Sequence, residues 1–104
     1  MGTLTLDRSL AGFEEKATEA AAMLKSLSNE KRLMILCKLL EHGEMRVNAL
    51  IGHVGLSPSA LSQHLARMRE EKIVDTRRDA QQIFYRVADP RGQGILATLK
   101  DMFC

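Results

Sequence analysis

A mainly helical domain with one small β-hairpin is the fold class that the chain's pattern predicts. Apolar residues recur at helical spacing up to Met68, two runs rich in β-branched and aromatic side chains follow, and helical spacing then returns toward the C-terminus. The chain has 104 residues, 45% of them hydrophobic, which suits one domain able to bury roughly two thirds of its unfolded surface. No repeat, linker or low-complexity segment divides positions 1-104.

The elements follow in order. Leu10 to Leu27 is rich in Ala, Glu and Lys and reads as a first helix. Ser28 or Asn29 can cap a second, in which Leu33, Leu36, Cys37 and Leu40 share a face and which His42 and Gly43 end. A short helix over Arg46 to His53 and a turn at Gly55 lead to Ser57 and Pro58, an N-cap with proline at the first helical position. Ile73 to Arg78 and Gln82 to Val87 form the hairpin strands around Asp79 and Ala80, without the glycine that usually marks a tight turn. Pro90 and Gly92 interrupt the pattern before Ile95, Leu96, Leu99, Met102 and Phe103 make a last amphipathic helix.

The net charge of +2 says less than its distribution. Residues 1–56 carry seven basic and seven acidic side chains, residues 87–104 two of each, and residues 57–86 six basic against four acidic. The excess therefore surrounds the helix that opens at Ser57, as a solvated surface or as a nucleic-acid footprint.

That helix poses the functional question. At about 100° per residue, Leu61, Leu65 and Met68 form one apolar stripe, His64 and Arg67 flank it, and Ser59, Ser62, Gln63 and Ala66 point the other way. Short polar side chains and one amide suit a major groove, where the backbone must approach closely, Gln pairs bidentately with adenine and Ser bonds either base. An ordinary solvated face with a bias to small residues is the alternative. A short helix and a turn precede it, the order of a helix-turn-helix, in which the second helix reads bases. Arg77 and Arg78 on the following hairpin could bind phosphate beside the groove as a wing.

"SLSNEKRLMIL", "GLSPSALSQHLARMREEKIV" and "RRDAQQIFYRV" together resemble the ArsR-type winged helix-turn-helix repressors, from about Ala20 to Cys104. The Ser-x-x-Ser-x-His-Leu core here is Ser59, Ser62, His64 and Leu65. The resemblance implies a homodimer built on the first and last helices, with Ile95, Leu99 and Met102 as the seam. It also implies a palindromic double-stranded DNA operator, contacted through Ser57, Ser59, Ser62, Gln63, Arg67, Arg77 and Arg78, and release of DNA when an effector binds.

Metal-sensing members of that family carry Cys-x-Cys before the turn, where this chain reads "EMRVNAL", and other members place Asp and His ligands on the last helix, whereas no histidine follows His64 here. His42, His53 and His64 share no helix face, and tetrahedral zinc needs three or four N or S ligands. No metal and no cofactor is therefore expected. The placement of Cys37 in "ILC" and Cys104 in "MFC" resembles instead the sulfur- and redox-responsive branch typified by the BigR, SqrR and HlyU repressors. That likeness implies a thiol pair within one subunit that persulfides bridge or oxidants modify. From the residues alone, a cysteine at an apolar helical position is a small hydrophobe and a terminal one an exposed end. A plain disulfide needs Cα atoms roughly 4.4–6.8 Å apart, so inserted sulfur would join thiols too distant for direct oxidation. The terminal carboxylate beside Cys104 opposes thiolate formation, and Lys38 and Lys100 are near the two thiols in sequence.

Other functions find less support. HExxH, GxSxG and P-loop patterns are absent, so an enzyme is not expected. Aromatics are 4% of the chain, and Phe13, Phe84, Tyr85 and Phe103 build no stacking platform for RNA. A winged-helix interaction module without DNA binding or sensing, and a metal-responsive repressor, are the remaining alternatives. The opening "MGTLTLDRSL" lacks a basic region followed by an apolar run, and no stretch approaches the ~20 apolar residues of a membrane span, so the chain reads as cytoplasmic with no membrane partner.

Overall fold

The computed structural model describes the backbone of residues 3–103 and the side chains of 12–103; Cys104 lies outside the described residues. The elements run α1 (Thr3–Leu27), α2 (Glu30–His42), β1 (Met45–Arg46), α3 (Val47–Val54), α4 (Pro58–Glu70), β2 (Val74–Asp79), β3 (Gln82–Val87) and α5 (Pro90–Phe103). The expected class holds, with one addition. The hairpin β2–β3 gains β1 on its far side, in the order β1-β3-β2, all antiparallel.

Local chemistry sets most boundaries. Asn29, not Ser28, caps α2, its side chain accepting the Arg32 N–H at 3.0 Å, while Gly43 ends that helix at φ 84°. Ser57 caps α4 by accepting the Ala60 N–H at 3.1 Å, with Pro58 at the first helical position. The far end of α4 closes by a Schellman arrangement: Ile73 N–H bonds the Met68 carbonyl at 2.9 Å and Lys72 N–H that of Arg69 at 3.0 Å. Lys72 occupies the left-handed position, φ 63°, where glycine is usual. In the hairpin Asp79 pairs with Gln82, so Ala80 and Gln81 are the loop, and Ala80 takes φ 57° in place of the missing glycine.

Three expectations need correction. α5 begins at Pro90, a full turn before Ile95, so the residues read as breakers lie inside it. Asp89 starts that helix by accepting the Arg91 N–H at 2.9 Å, and proline at the first position forfeits a hydrogen bond no helix would use. α1 extends back to Thr3 rather than starting at Leu10. The buried face of α2 is Ile35, Leu36 and Leu39, while Leu33, Cys37 and Leu40 are only half-buried at its edge.

Every element contributes to one core: Leu27, Ile35, Leu36, Leu39, Met45, Leu50, Val54, Leu61, Leu65, Met68, Ile73, Val74, Val87 and Leu96. None of the described polar or charged residues is buried. α2 packs against α3, α5 and β3, and α4 lies between α3 and β2. Among the described residues, α1 reaches this core through its last turns, at Met23 and Leu27. The radius of gyration, 15.9 Å, accordingly exceeds the about 13 Å of a compact chain of ~100 residues.

Because Leu65 is fully buried, Leu65→Ala should lower the free energy of unfolding by about 2–5 kcal/mol. Lys72→Gly, which relieves a left-handed backbone, should instead raise it by up to about 1 kcal/mol. Denaturant titration of the two variants beside the wild type checks both signs.

Candidate nucleic-acid interface

α3 and α4 meet through Gly55, Leu56 and Ser57. Gly55 ends α3 in the left-handed region at φ 66°, Leu56 tucks partly into the core, and Ser57 starts the next helix. On α4 the apolar stripe falls as expected, Leu61, Leu65 and Met68 all at 0% exposure. Ser59, Ser62, Gln63 and Ala66 are all exposed and form the opposite strip, with Arg67 exposed beside it. Ser57 is also exposed, but its oxygen already serves as the helix cap, which leaves its hydroxyl proton as the group free to donate.

The C-terminal end of α4 is tied to the helices behind it. Glu71 Oε1 accepts hydrogen bonds from Ser26 Oγ at 2.8 Å and from Arg32 Nη1 at 3.0 Å, and the same Arg32 nitrogen donates to the Ser26 carbonyl at 3.1 Å. One carboxylate thus links α4 to the α1–α2 junction. Between these parts runs an open cleft of about 1130 Å³, with Gln63, His64 and Arg67 on one wall and Lys25, Ser28 and Asn29 on the other. The sequence pattern does not reveal this concavity, because its walls come from segments some 35 positions apart.

Pairing separates the two wing arginines. Arg77 lies opposite Phe84, and Arg78 opposite Ile83, so their side chains leave opposite faces of the hairpin. Arg77 is engaged: its Nε donates to Glu44 Oε2 at 3.1 Å, its Nη2 donates to Glu44 Oε1, and its guanidinium carbon lies 4.6 Å from the centre of the Phe84 ring. The hydrogen bond from Arg77 holds the Glu44 carboxyl below its ordinary pKa. On the same face Arg86 forks onto Asp75 at 2.7 and 3.1 Å. Arg78 is exposed and engages no carboxylate among the described residues.

A two-helix unit with an arginine-bearing hairpin after it has known counterparts. The family described as bacterial regulatory protein, arsR family, matches residues 29–76. The HTH-type transcriptional regulator YgaV of Escherichia coli is 46% identical over 95 residues, 91% of this chain and 96% of that one. The chain belongs to the ArsR family of bacterial regulatory proteins. The transcriptional activator HlyU of Vibrio cholerae is 39% identical over 91% of this chain and 87% of that protein. The crystal structure of the transcriptional repressor BigR from Xylella fastidiosa superposes with a TM-score of 0.82 at 40% identity, covering 90% of this chain and 95% of that one. The fold is thus the winged helix-turn-helix of ArsR-family transcriptional regulators, with α4 in the place of the second helix and β2–β3 as the wing. BigR and HlyU are the branch that the cysteine placement resembles.

Cys37 is half-buried on α2 against the core, and Cys104 falls outside the described residues, following the helix α5 that packs on α2. Lys38, next to Cys37, is paired with Glu41 at 3.3 Å. That hydrogen bond, then the charges of Lys38 and Lys100, hold the Glu41 carboxyl below its ordinary value. On α5 the inward face is Gly92 and Leu96; Ile95 and Leu99 are half-buried, and Met102 is 68% exposed.

No group of three or more His, Cys, Asp or Glu side chains among the described residues is placed to hold a metal ion. The structure does join two histidines that sequence spacing treats as unrelated: the rings of His42 and His53 lie 5.4 Å apart, tilted by 46°. Both are exposed, at the ends of helices that pack together. Among the described residues no helix is long and apolar enough to cross a membrane.

Proposed function

We propose that this regulator is a homodimeric, sequence-specific DNA-binding repressor whose operator affinity falls when its cysteines are modified. The observation that carries the DNA reading is the exposed polar strip of α4 set opposite three side chains with no exposure at all. The core fixes the rotation of α4, so Ser59, Ser62 and Gln63 are presented together without further rearrangement. Gln63 is the candidate for a bidentate adenine contact, with Ser59 and Ser62 bonding neighbouring base edges. Ser57, Arg67 and Arg78 are the candidates for phosphate, with Arg77 joining them if it leaves Glu44.

Gln63→Ala should weaken operator binding by about 1–3 kcal/mol per half-site while leaving random duplex nearly unaffected. Arg78→Ala should weaken both duplexes alike and flatten the salt dependence. Fluorescence anisotropy titrations against both duplexes over a salt series check this, and equal losses for Gln63→Ala would remove it from base readout.

Dimerisation is supported by apolar surface that one copy leaves uncovered. Phe13 and Leu24 on α1 are 55% and 57% exposed, and Met102 and Phe103 on α5 are 68% and 79% exposed. Ile95, Leu99 and Met102 recur at helical spacing beside the inward face of α5, forming a seam that a second copy would cover. A two-fold dimer in turn requires a palindromic operator. Leu99→Glu should yield a monomer in sedimentation at micromolar concentration and lose operator binding with it; a wild-type monomer that binds DNA tightly would contradict the reading.

The effector reading rests on Cys37 and Cys104 and on the likeness to BigR and HlyU, and it requires a reducing, cytoplasmic setting in which thiols persist. Treatment with excess glutathione persulfide should transfer one sulfur to each thiol with release of glutathione, after which the two persulfides join as a trisulfide with loss of hydrogen sulfide; operator affinity should fall, and dithiothreitol should reverse both changes. A coupling of about 1–3 kcal/mol between the sites is sufficient. Cys37→Ser or Cys104→Ser should each keep DNA binding by the reduced protein and abolish release, read by mass spectrometry and anisotropy together. Release of the double serine variant by persulfide would contradict the thiol sensor, and stoichiometric release of the wild type by zinc would assign a metal effector.

A further inference from the structure

The wing holds a cation whose charge is already answered inside the molecule. Glu44 immediately precedes β1, Phe84 is on the central strand β3, and Arg77 is on β2 at the other side of the sheet. Arg77 must therefore cross over β3 to reach Glu44, and it does so with its guanidinium carbon over the Phe84 ring, 4.6 Å from its centre. Both forks of the contact are made, Nε to Oε2 and Nη2 to Oε1. A carboxylate that takes a guanidinium fork in this way occupies the same donors that a phosphodiester would use. Arg78, one residue on, has no such carboxylate among the described residues.

We propose that Glu44 acts as an internal phosphate mimic that withholds Arg77 from the DNA backbone, so that each wing offers one sequence-blind cation, Arg78, rather than two. This rests on the DNA-binding reading above and adds to it a limit on the protein's non-specific affinity. Phosphate contacts strengthen binding to every duplex alike, so each one withheld reduces the hold of competing random sites. The hydrogen bond from Arg77 in turn holds the Glu44 carboxyl below its ordinary pKa.

The test compares wild type, Glu44→Gln and the double variant Glu44→Gln with Arg77→Gln on random duplex DNA across a salt series. Glu44→Gln should bind more tightly at low salt, and its plot of log affinity against log salt should steepen by about 0.9 for each subunit, the value of one added phosphate contact. In the double variant the slope should return to that of the wild type. An unchanged slope in Glu44→Gln overturns the proposal, as does a steepening that persists in the double variant, which would belong to the lost carboxylate charge and not to Arg77. A wild type that binds no duplex at all would overturn the DNA-binding reading and this inference together, whereas a wild type that binds with an unaltered Glu44→Gln slope sinks only the inference.

Discussion

The interface depends on one constraint: Leu61, Leu65 and Met68 must all be buried at once. Each such side chain contributes about 1.5–3 kcal/mol when fully removed from water. A helix turns by about 100° per residue, so sliding α4 by a single position would expose part of this stripe and bury polar groups in its place. Burial therefore fixes rotation, and rotation decides what faces outward. The ends of the helix fix its position along its axis. Ser57 holds the start, the Schellman closure at Lys72 holds the finish, and Glu71 fastens that finish to Ser26 and Arg32 on the helices behind. Strip residues can stay small and polar because none of them is needed to hold the fold.

How much of this was legible in the sequence depended on whether the cause was local. The N-terminus of α4 was readable at Ser57 and Pro58, and its two faces from helical spacing, because capping and periodicity act within one turn. The hairpin was readable from residue type even without a turn glycine, since paired strands with inward Val74, Tyr85 and Val87 suffice to set its register. β1 was not, for two residues cannot show an alternation. The start of α5 was misread because Pro90 and Gly92 are breakers in a helix interior, whereas Asp89 places the proline where a helix begins. The α2 face was read only in part: Leu36 is fully buried and Leu33, Cys37 and Leu40 pack at the core's edge, but Ile35 and Leu39, on the other side of Leu36, complete it.

At the site, spacing identified the strip but not its surroundings. Arg77 and Arg78 are indistinguishable as neighbours in a sequence; strand pairing puts them on opposite faces, and only tertiary structure brings Glu44 to one of them. The cleft beside Gln63 and the closeness of His42 to His53 are products of packing between separate helices. α2 is the element that touches each of these parts. It carries Cys37 at its edge, supplies Ile35, Leu36 and Leu39 to the core, and packs on α3 and α5.

The central claim is that the α4 strip reads base sequence from a two-fold assembly, and selection from a pool of randomised duplexes tests it most directly. If it holds, repeated rounds with the wild-type protein converge on an inverted repeat whose half-site centres lie about 10–10.5 base pairs apart, or a multiple of that spacing. A pool that stays random while still being retained by the protein would contradict it, leaving a duplex-binding surface that does not read sequence.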